Sequence, residues 1–307
     1  MRVSTLQLHS RCFRAMGSPC ELRFYARSSD LAEAAHAAAV AVIAQLEDRY
    51  SRYRPSSLTS RINAAAGTGD WLTVDAETAG LLDYAQQVWQ QSEGLFDITS
   101  GILRQAWDFR VPRLPTQADI DALLPKVGWE TVEWTAPRIR LPKVGMELDF
   151  GGYVKEYAAD AAARALREQG IEHGFVELGG DIAVIGPHPD GAPWRIGVRH
   201  PRQPDTALAM LELHEGALAS SGDYERSITV DGVRYGHILN PKTGWPVQSL
   251  AAVSVVAPQC LLAGTATTVA LLKQGAAKDW LQMLELPYLA VTAEAEVFGT
   301  LKAAMVC

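Results

Sequence analysis

The stretch GMELDFGGYVKEYAADAAARALREQG, residues 145–170, reads as strand, glycine turn and helix, with Asp149 at the strand end and Lys155 in the first helical turn. Upstream, SPCELRFYA (18–26) alternates apolar and polar residues and predicts a strand. Ser29 and Asp30 then offer N-caps to the alanine-rich LAEAAHAAAVAVIAQLEDRYSRY, whose stripe through Ala34, Ala38, Val42 and Leu46 predicts a helix. A second helix follows Asp75 and is closed by Gly94. From about 107 to 143 the chain makes an excursion rich in proline and tryptophan, with TQADIDALL as its one expected short helix. Downstream, GFVELGGDIAVIG predicts strand, glycine bend and strand, and WRIGVRHP and LAMLELHEGALASS extend a strand-rich half. AAVSVVAP (251–258) is another strand, and LPYLAVT with AEVFGTL closes as a hairpin. Between the last two lies LLAGTATTVALL (261–272), a helix-like segment whose small central residues imply a close neighbour. Helices and strands come in runs, not strict alternation, so the expected class is α+β.

The chain has 307 residues, of which 48% are hydrophobic and 21% charged, enough for a substantial core. A formal charge of −7 without a long Lys/Arg cluster argues against nucleic-acid binding. Cys12, Cys20, Cys260 and Cys307 form no CxxC pair, which favours packing roles over a zinc or disulfide framework. MRVSTLQLHSRCFRAMG lacks an apolar signal-peptide core, and no long apolar run suggests a membrane segment. A cytoplasmic location is the expectation from these features.

Glycine-rich corners carry the chemistry. In DFGGYVK (149–155), Gly151 and Gly152 open a helix start whose N–H groups attract phosphate, and Lys155 adds charge. The alternative is a tight turn with a solvated lysine. ELGGDIAVIG (177–186) repeats the pattern, although a bulge with a turn aspartate explains it in isolation. In RYGHILNPKTGWP (234–246), Asn240 to Gly244 is turn chemistry. His237 precedes it; its near-neutral pKa suits proton transfer, and a structural role is the alternative. GxGxxG, Walker, GxSxG and HExxH patterns are absent from the sequence.

In order, seven blocks resemble the FAD:protein FMN transferase (ApbE) family. They are AMGSPCEL (15–22), RYSRYRPSSLTSRIN (49–63), GLFDIT (94–99), ELDFGGYVKEYAAD (147–160), VELGGDI (176–182), ASSGDYER (219–226) and YGHILNPKTGWPV (235–247). The likeness runs from about residue 12 to 300, so the chain is expected to be one such domain over 1–307. The resemblance implies an α+β fold of two related subdomains with FAD in the cleft between them. It implies cleavage of FAD, transfer of FMN to a Thr or Ser hydroxyl of a target flavoprotein, and release of AMP, assisted by Mg2+. By matching position, it implies FAD contacts at Met16, Tyr53, Leu95, Phe96, Asp97, Asp149, Lys155, His237 and Ile238. Lys155 and His237 become the catalytic candidates; Gly152 and Thr268 become metal-site candidates.

Two positions depart from the family pattern. Gly264 stands where the family carries a metal-binding Asp, and Glu156 stands where it usually carries glycine. Glu156 is therefore a candidate substitute ligand, against the alternative of a helix-surface charge. The loss at Gly264 keeps two other readings open: a non-catalytic FAD-binding protein, and an FAD pyrophosphatase giving FMN and AMP.

Overall fold

The computed structural model describes residues 6–203, 205–301 and 304–305, so Cys307 lies outside the described residues. Cys12, Cys20 and Cys260 are free thiols, the last two buried. The chain opens with an antiparallel hairpin of β1 (Gln7–Ala15) and β2 (Ser18–Ala26), turned at Met16–Gly17 with φ of 50° and 74°. β1 has no fully buried residue, so it carries no alternation that a sequence pattern could reveal.

Helix α1 (Ser29–Tyr50) follows, capped by the Ser28 hydroxyl, which accepts from the Leu31 N–H. Its buried stripe is Ala32, Ala35, Ala39, Ile43, Leu46 and Tyr50, which runs one position past the expected Ala34, Ala38 and Val42 and meets the expectation at Leu46. An alanine-rich helix has little contrast between faces, and the bulky Ile43 and Tyr50 set the phase. Next come α2 (Leu58–Ala64), β3 (Leu72–Thr73) and α3 (Ala76–Gln91). Asp75 caps α3 by accepting from the Thr78 N–H, and Gly94, at φ 78°, closes it by donating to the Trp89 carbonyl.

The excursion holds α4 (Gln117–Asp121) as expected, and also β4 (Glu133–Thr135) and β5 (Arg138–Arg140), which form a small sheet with β3 in the order β3-β5-β4. Gly145 lies in a turn, and residues 146–150 form no strand. Asn63 supplies the reason: its side chain donates to the Leu148 carbonyl and accepts from the Leu148 N–H, meeting needs a neighbouring strand would otherwise meet. The glycine turn then leads, as expected, into α5 (Val154–Glu168).

The remaining strands are β6 (Gly174–Leu178), β7 (Asp181–Gly186), β8 (Trp194–Arg199), β9 (Ala207–Leu213), β10 (Ala217–Gly222), β11 (Ser227–Val230), β12 (Val233–Gly236) and β13 (Leu250–Ala257). Helices α6 (Cys260–Lys273) and α7 (Ala277–Met283) precede β14 (Tyr288–Thr292), β15 (Val297–Gly299) and β16 (Ala304–Met305). The main sheet has eight strands in the order β1-β2-β6-β7-β10-β13-β14-β15, every pair antiparallel. This is the expected α+β class.

The sheet divides into two four-stranded halves, each with a helix on the same face: α5 on β6 and β7, α6 on β10 and β13. Only Ala217–Ala183 and Leu218–Ile182 pair across the β7–β10 seam. On the helical face, α5 turns Ala158, Ala159, Ala162 and Ala163 inward, so α1, α5 and α6 approach closely over the sheet. The opposite face is covered by β8 and β9, through Trp194, Ile196, Val198, Leu211 and Leu213 against Phe175, Val184 and Leu218. Among the described residues, no helix is long and apolar enough to cross a membrane.

Candidate active site

The site grows from the seam between the two halves. Beyond Leu218–Ile182 the strands stop exchanging ladder bonds, and the Asp181 side chain takes over by accepting from the Ser220 N–H at 3.0 Å. Asp181 reaches this position because Gly179 and Gly180, with φ of 60° and 92°, make a two-residue turn between Leu178 and Asp181. The expected bulge is thus a tight hairpin turn. Asp181 itself, read from the sequence as a turn residue, is 3% exposed and ion-paired with Lys155.

Lys155 is held by Asp181 and by Glu156, whose Oε1 lies 3.3 Å from Nζ, so it is not a solvated lysine. No side chain caps the start of α5, and the Val154 N–H donates to the Phe150 carbonyl, so the N–H groups of Lys155 and Glu156 are the first-turn donors left for a ligand. Glu156 is 8% exposed and packs against α6, which excludes the surface-charge alternative. A Cβ built on Gly264 would lie 2.5 Å from Glu156 Cγ and 3.1 Å from its Oε1. The two departures from the family pattern are therefore in contact: the acid on α5 fills the room that glycine leaves on α6. The Oε2 of Glu156 is buried and has no hydrogen-bond partner.

On α6, Thr267 is fully buried; its hydroxyl donates to the Gly264 carbonyl and shares a 2.8 Å hydrogen bond with Ser221. Thr268 is half-buried on the next position. The α6 N-terminus is anchored from α5 by Asp160, whose carboxylate accepts from the N–H groups of Cys260 and Leu261 at 2.8 and 2.9 Å. Burial raises the Asp160 pKa despite those bonds.

A second group surrounds the loop after α1. Arg52 pairs with Asp149, donates to the Tyr53 hydroxyl at 2.8 Å, and lies over the Tyr53 ring, which is 72% exposed. Asp149 also accepts from the Gly151 N–H at 2.9 Å, which shapes the glycine turn. A Cβ on Gly152 would touch the Phe96 ring at 3.8 Å, and Phe96 packs edge-on against Tyr153. Leu95 is half-buried against the same core. Asp97 has a structural task in this loop. It is 8% exposed; one oxygen accepts from the Thr99 N–H and hydroxyl and the other from the Trp129 N–H. Both oxygens are thus engaged in ordering the loop that carries Leu95 and Phe96. Burial outweighs those bonds and raises its pKa.

A third group joins the β1–β2 turn to His237. Met16 is half-buried at this turn, and Gly17 lies beside Arg226, a Cβ there falling 3.8 Å from the guanidinium. Arg226 in turn neighbours His237, whose pKa falls to about 4 through burial first and the Arg226 charge second. His237 is neutral at physiological pH, and its Nδ1 is buried without a partner. Ile238 lines a shallow recess with Asp223, Gly236, Val247, Leu250 and Leu271, which brings it to the same side of α6 as Thr268. The β1–β2 turn also meets the seam, since Gly179 sits against Ser18 and Lys155.

The sequence motifs thus converge, but several partners were not legible in them. Arg52, Asp181, Ser221 and Thr267 act through contacts between segments far apart in the chain. Among the described residues, no three His, Cys, Asp or Glu side chains gather as a metal cage. One buried carboxylate with an unpartnered oxygen nevertheless fits a magnesium ion, which takes one or two protein carboxylates and completes its shell with water and phosphate oxygens.

An antiparallel α+β protein with an anion-ready seam between two sheet halves is the class this geometry defines. The ApbE family model matches residues 16–291. An FAD:protein FMN transferase of Rhodobacter capsulatus is 31% identical over 302 residues, 95% of this chain and 57% of the relative. One of Vibrio cholerae serotype O1 is 32% identical over 235 residues, 74% of this chain and 70% of the relative. The crystal structure of the ApbE protein of Thermotoga maritima matches with a TM-score of 0.87 at 29% identity, covering 96% of this chain and 97% of that one. This chain belongs to the ApbE family. It spans 57% of the length of the Rhodobacter relative.

Proposed function

We propose that the protein is an FAD:protein FMN transferase. It cleaves the FAD pyrophosphate and attaches FMN through a phosphoester to a Thr or Ser hydroxyl of a target flavoprotein. The observation that carries this reading is the convergence of the family's blocks on one seam, with Lys155 and the open α5 N-terminus at its centre. In the reaction, the acceptor hydroxyl oxygen bonds to the phosphorus of the FMN half, the P–O–P bond to the adenosine half breaks, and AMP leaves. Such transfers depend on positioning and charge neutralisation more than on covalent help.

Lys155 and the α5 amides hold the pyrophosphate oxygens, and Asp181 keeps the ammonium in place. Gly151 and Gly152 let the backbone approach the phosphates, with Asp149 shaping that turn. Tyr53, Met16, Leu95 and Phe96 line the flavin-bearing part of the cleft. Magnesium, when bound, neutralises charge that accumulates on the pyrophosphate; Glu156, Gly152 and Thr268 are the residues that would hold it. His237, neutral in the fold, is the candidate group to take up the acceptor hydroxyl proton.

The test incubates the protein with FAD, MgCl2 and a flavoprotein domain carrying a candidate Thr, and reads covalent flavin fluorescence on the acceptor together with AMP. Fluorescent acceptor with stoichiometric AMP is the expected result. AMP without labelled acceptor would make the protein an FAD pyrophosphatase, and retention of intact FAD a binding protein; either overturns the transferase reading.

A further inference from the structure

Glu156 is a conspicuous side chain in energetic terms. It is buried on α5, one carboxylate oxygen touches Lys155, and the other is enclosed without a partner. A buried oxygen without a hydrogen bond costs about 1–3 kcal/mol, and more if charged, so a cationic partner is the simplest compensation. Its placement is specific. The Glu156 side chain occupies the volume that any residue larger than glycine at 264 would need, with Cγ 2.5 Å and Cδ 3.0 Å from a Cβ at that position. Asp181, the other acid at Lys155, is already spoken for by the ammonium and the Ser220 N–H. Oε2 of Glu156 is the carboxylate oxygen left over.

From this geometry we infer that Glu156 is the carboxylate that binds a divalent cation in this cleft, delivered from α5 into the space left by Gly264 on α6. The inference rests on the transferase reading only for the second ligand, the pyrophosphate of FAD that completes the shell. The exchange is reciprocal. A carboxylate at the first turn of α5 and a glycine on α6 are sterically compatible; a side chain at both is not.

Mn2+ serves as the probe, titrated against the full chain with saturating FAD and followed by the loss of its free EPR signal, with no acceptor present. Glu156→Gln keeps the shape of the side chain and removes its charge, so Mn2+ affinity should fall about tenfold or more. The swap E156G/G264D returns a carboxylate from the other helix and should recover most of that affinity. Thermal melting of each variant shows whether it is folded; if the swap does not fold, Glu156→Gln decides alone. Unchanged Mn2+ affinity in folded Glu156→Gln overturns the inference, as does a folded swap that stays as weak as Glu156→Gln. Failure here is separable from failure of the transferase reading. Glu156-dependent Mn2+ binding without flavin transfer would leave the site standing, whereas transfer with Glu156-independent Mn2+ binding would leave only the transferase.

Discussion

Gly264→Ala adds a single methyl group at the place where α5 meets α6, and the sign of its effect follows from the contact already there. In an open helix interior the change would stabilise by about 1 kcal/mol, because glycine is the poorer helix former. Here the new Cβ would fall 2.5 Å from Glu156 Cγ, 3.0 Å from Cδ and 3.1 Å from Oε1. Cγ lies near the backbone, so rotating the end of the side chain does not relieve the clash, and Asp160 fixes the helices by bridging α5 to the first turn of α6. Overpacking of this kind costs about 1–3 kcal/mol, which leaves a net loss of about 1 kcal/mol. For a chain of this size that lowers Tm by roughly 2 °C. In a Glu156→Ala background the obstructing atoms are gone, so the same methyl group should raise Tm by a similar amount. The double-mutant cycle should therefore return a coupling of about 2 kcal/mol between 156 and 264. The assay is thermal unfolding of the four proteins at one scan rate, by near-UV circular dichroism or dye fluorescence. A Gly264→Ala protein at least as stable as the parent, with the same effect in both backgrounds, would refute the packing argument.

His237 predicts an acid limb in stability. It stays neutral in the fold down to about pH 4, whereas the unfolded chain takes up its proton near 6.5. Between those values the unfolded state binds more protons, so stability is full above about pH 6.5 and is lost as pH falls towards 4. His237→Gln should flatten that limb in melts from about pH 7.5 to about 4.5; equal slopes would remove the case for a buried neutral imidazole. Lys155 is expected to serve both structure and binding, and the two can be separated. Lys155→Met leaves Asp181 buried without its cation and should destabilise by about 3–5 kcal/mol, as for one partner removed from a buried pair. Lys155→Met with Asp181→Asn should recover much of that stability while FAD affinity, measured by flavin fluorescence titration, stays at least about tenfold weaker. Recovery of both together would assign Lys155 a purely structural role.

The sequence determined the local pieces of this protein, because those depend on neighbours in the chain. Alternation in Ser18–Ala26 predicted β2, Asp75 and Gly94 bounded α3, and Gly179–Gly180 marked the corner between β6 and β7. The run of family blocks also singled out the segments around Lys155 and His237 as the candidate site. Tertiary structure decided what depended on distant partners. Segment 145–150 has the pattern of a strand, yet Asn63 satisfies Leu148 and no ladder forms. The α1 stripe shifted because alanine gives no phase until Ile43 and Tyr50 find the core. The structural task of Asp97 was also hidden, since one of its oxygens accepts from the Trp129 N–H, 32 residues away. Asp181 looked like a turn residue, and the open seam beside β10 made it the partner of Lys155. The pair at 156 and 264 shows the division most clearly. Each departure was visible in the sequence, but only the packing of α5 against α6 shows that one fills the space of the other, since steric exclusion between helices leaves no trace in the spacing of either one.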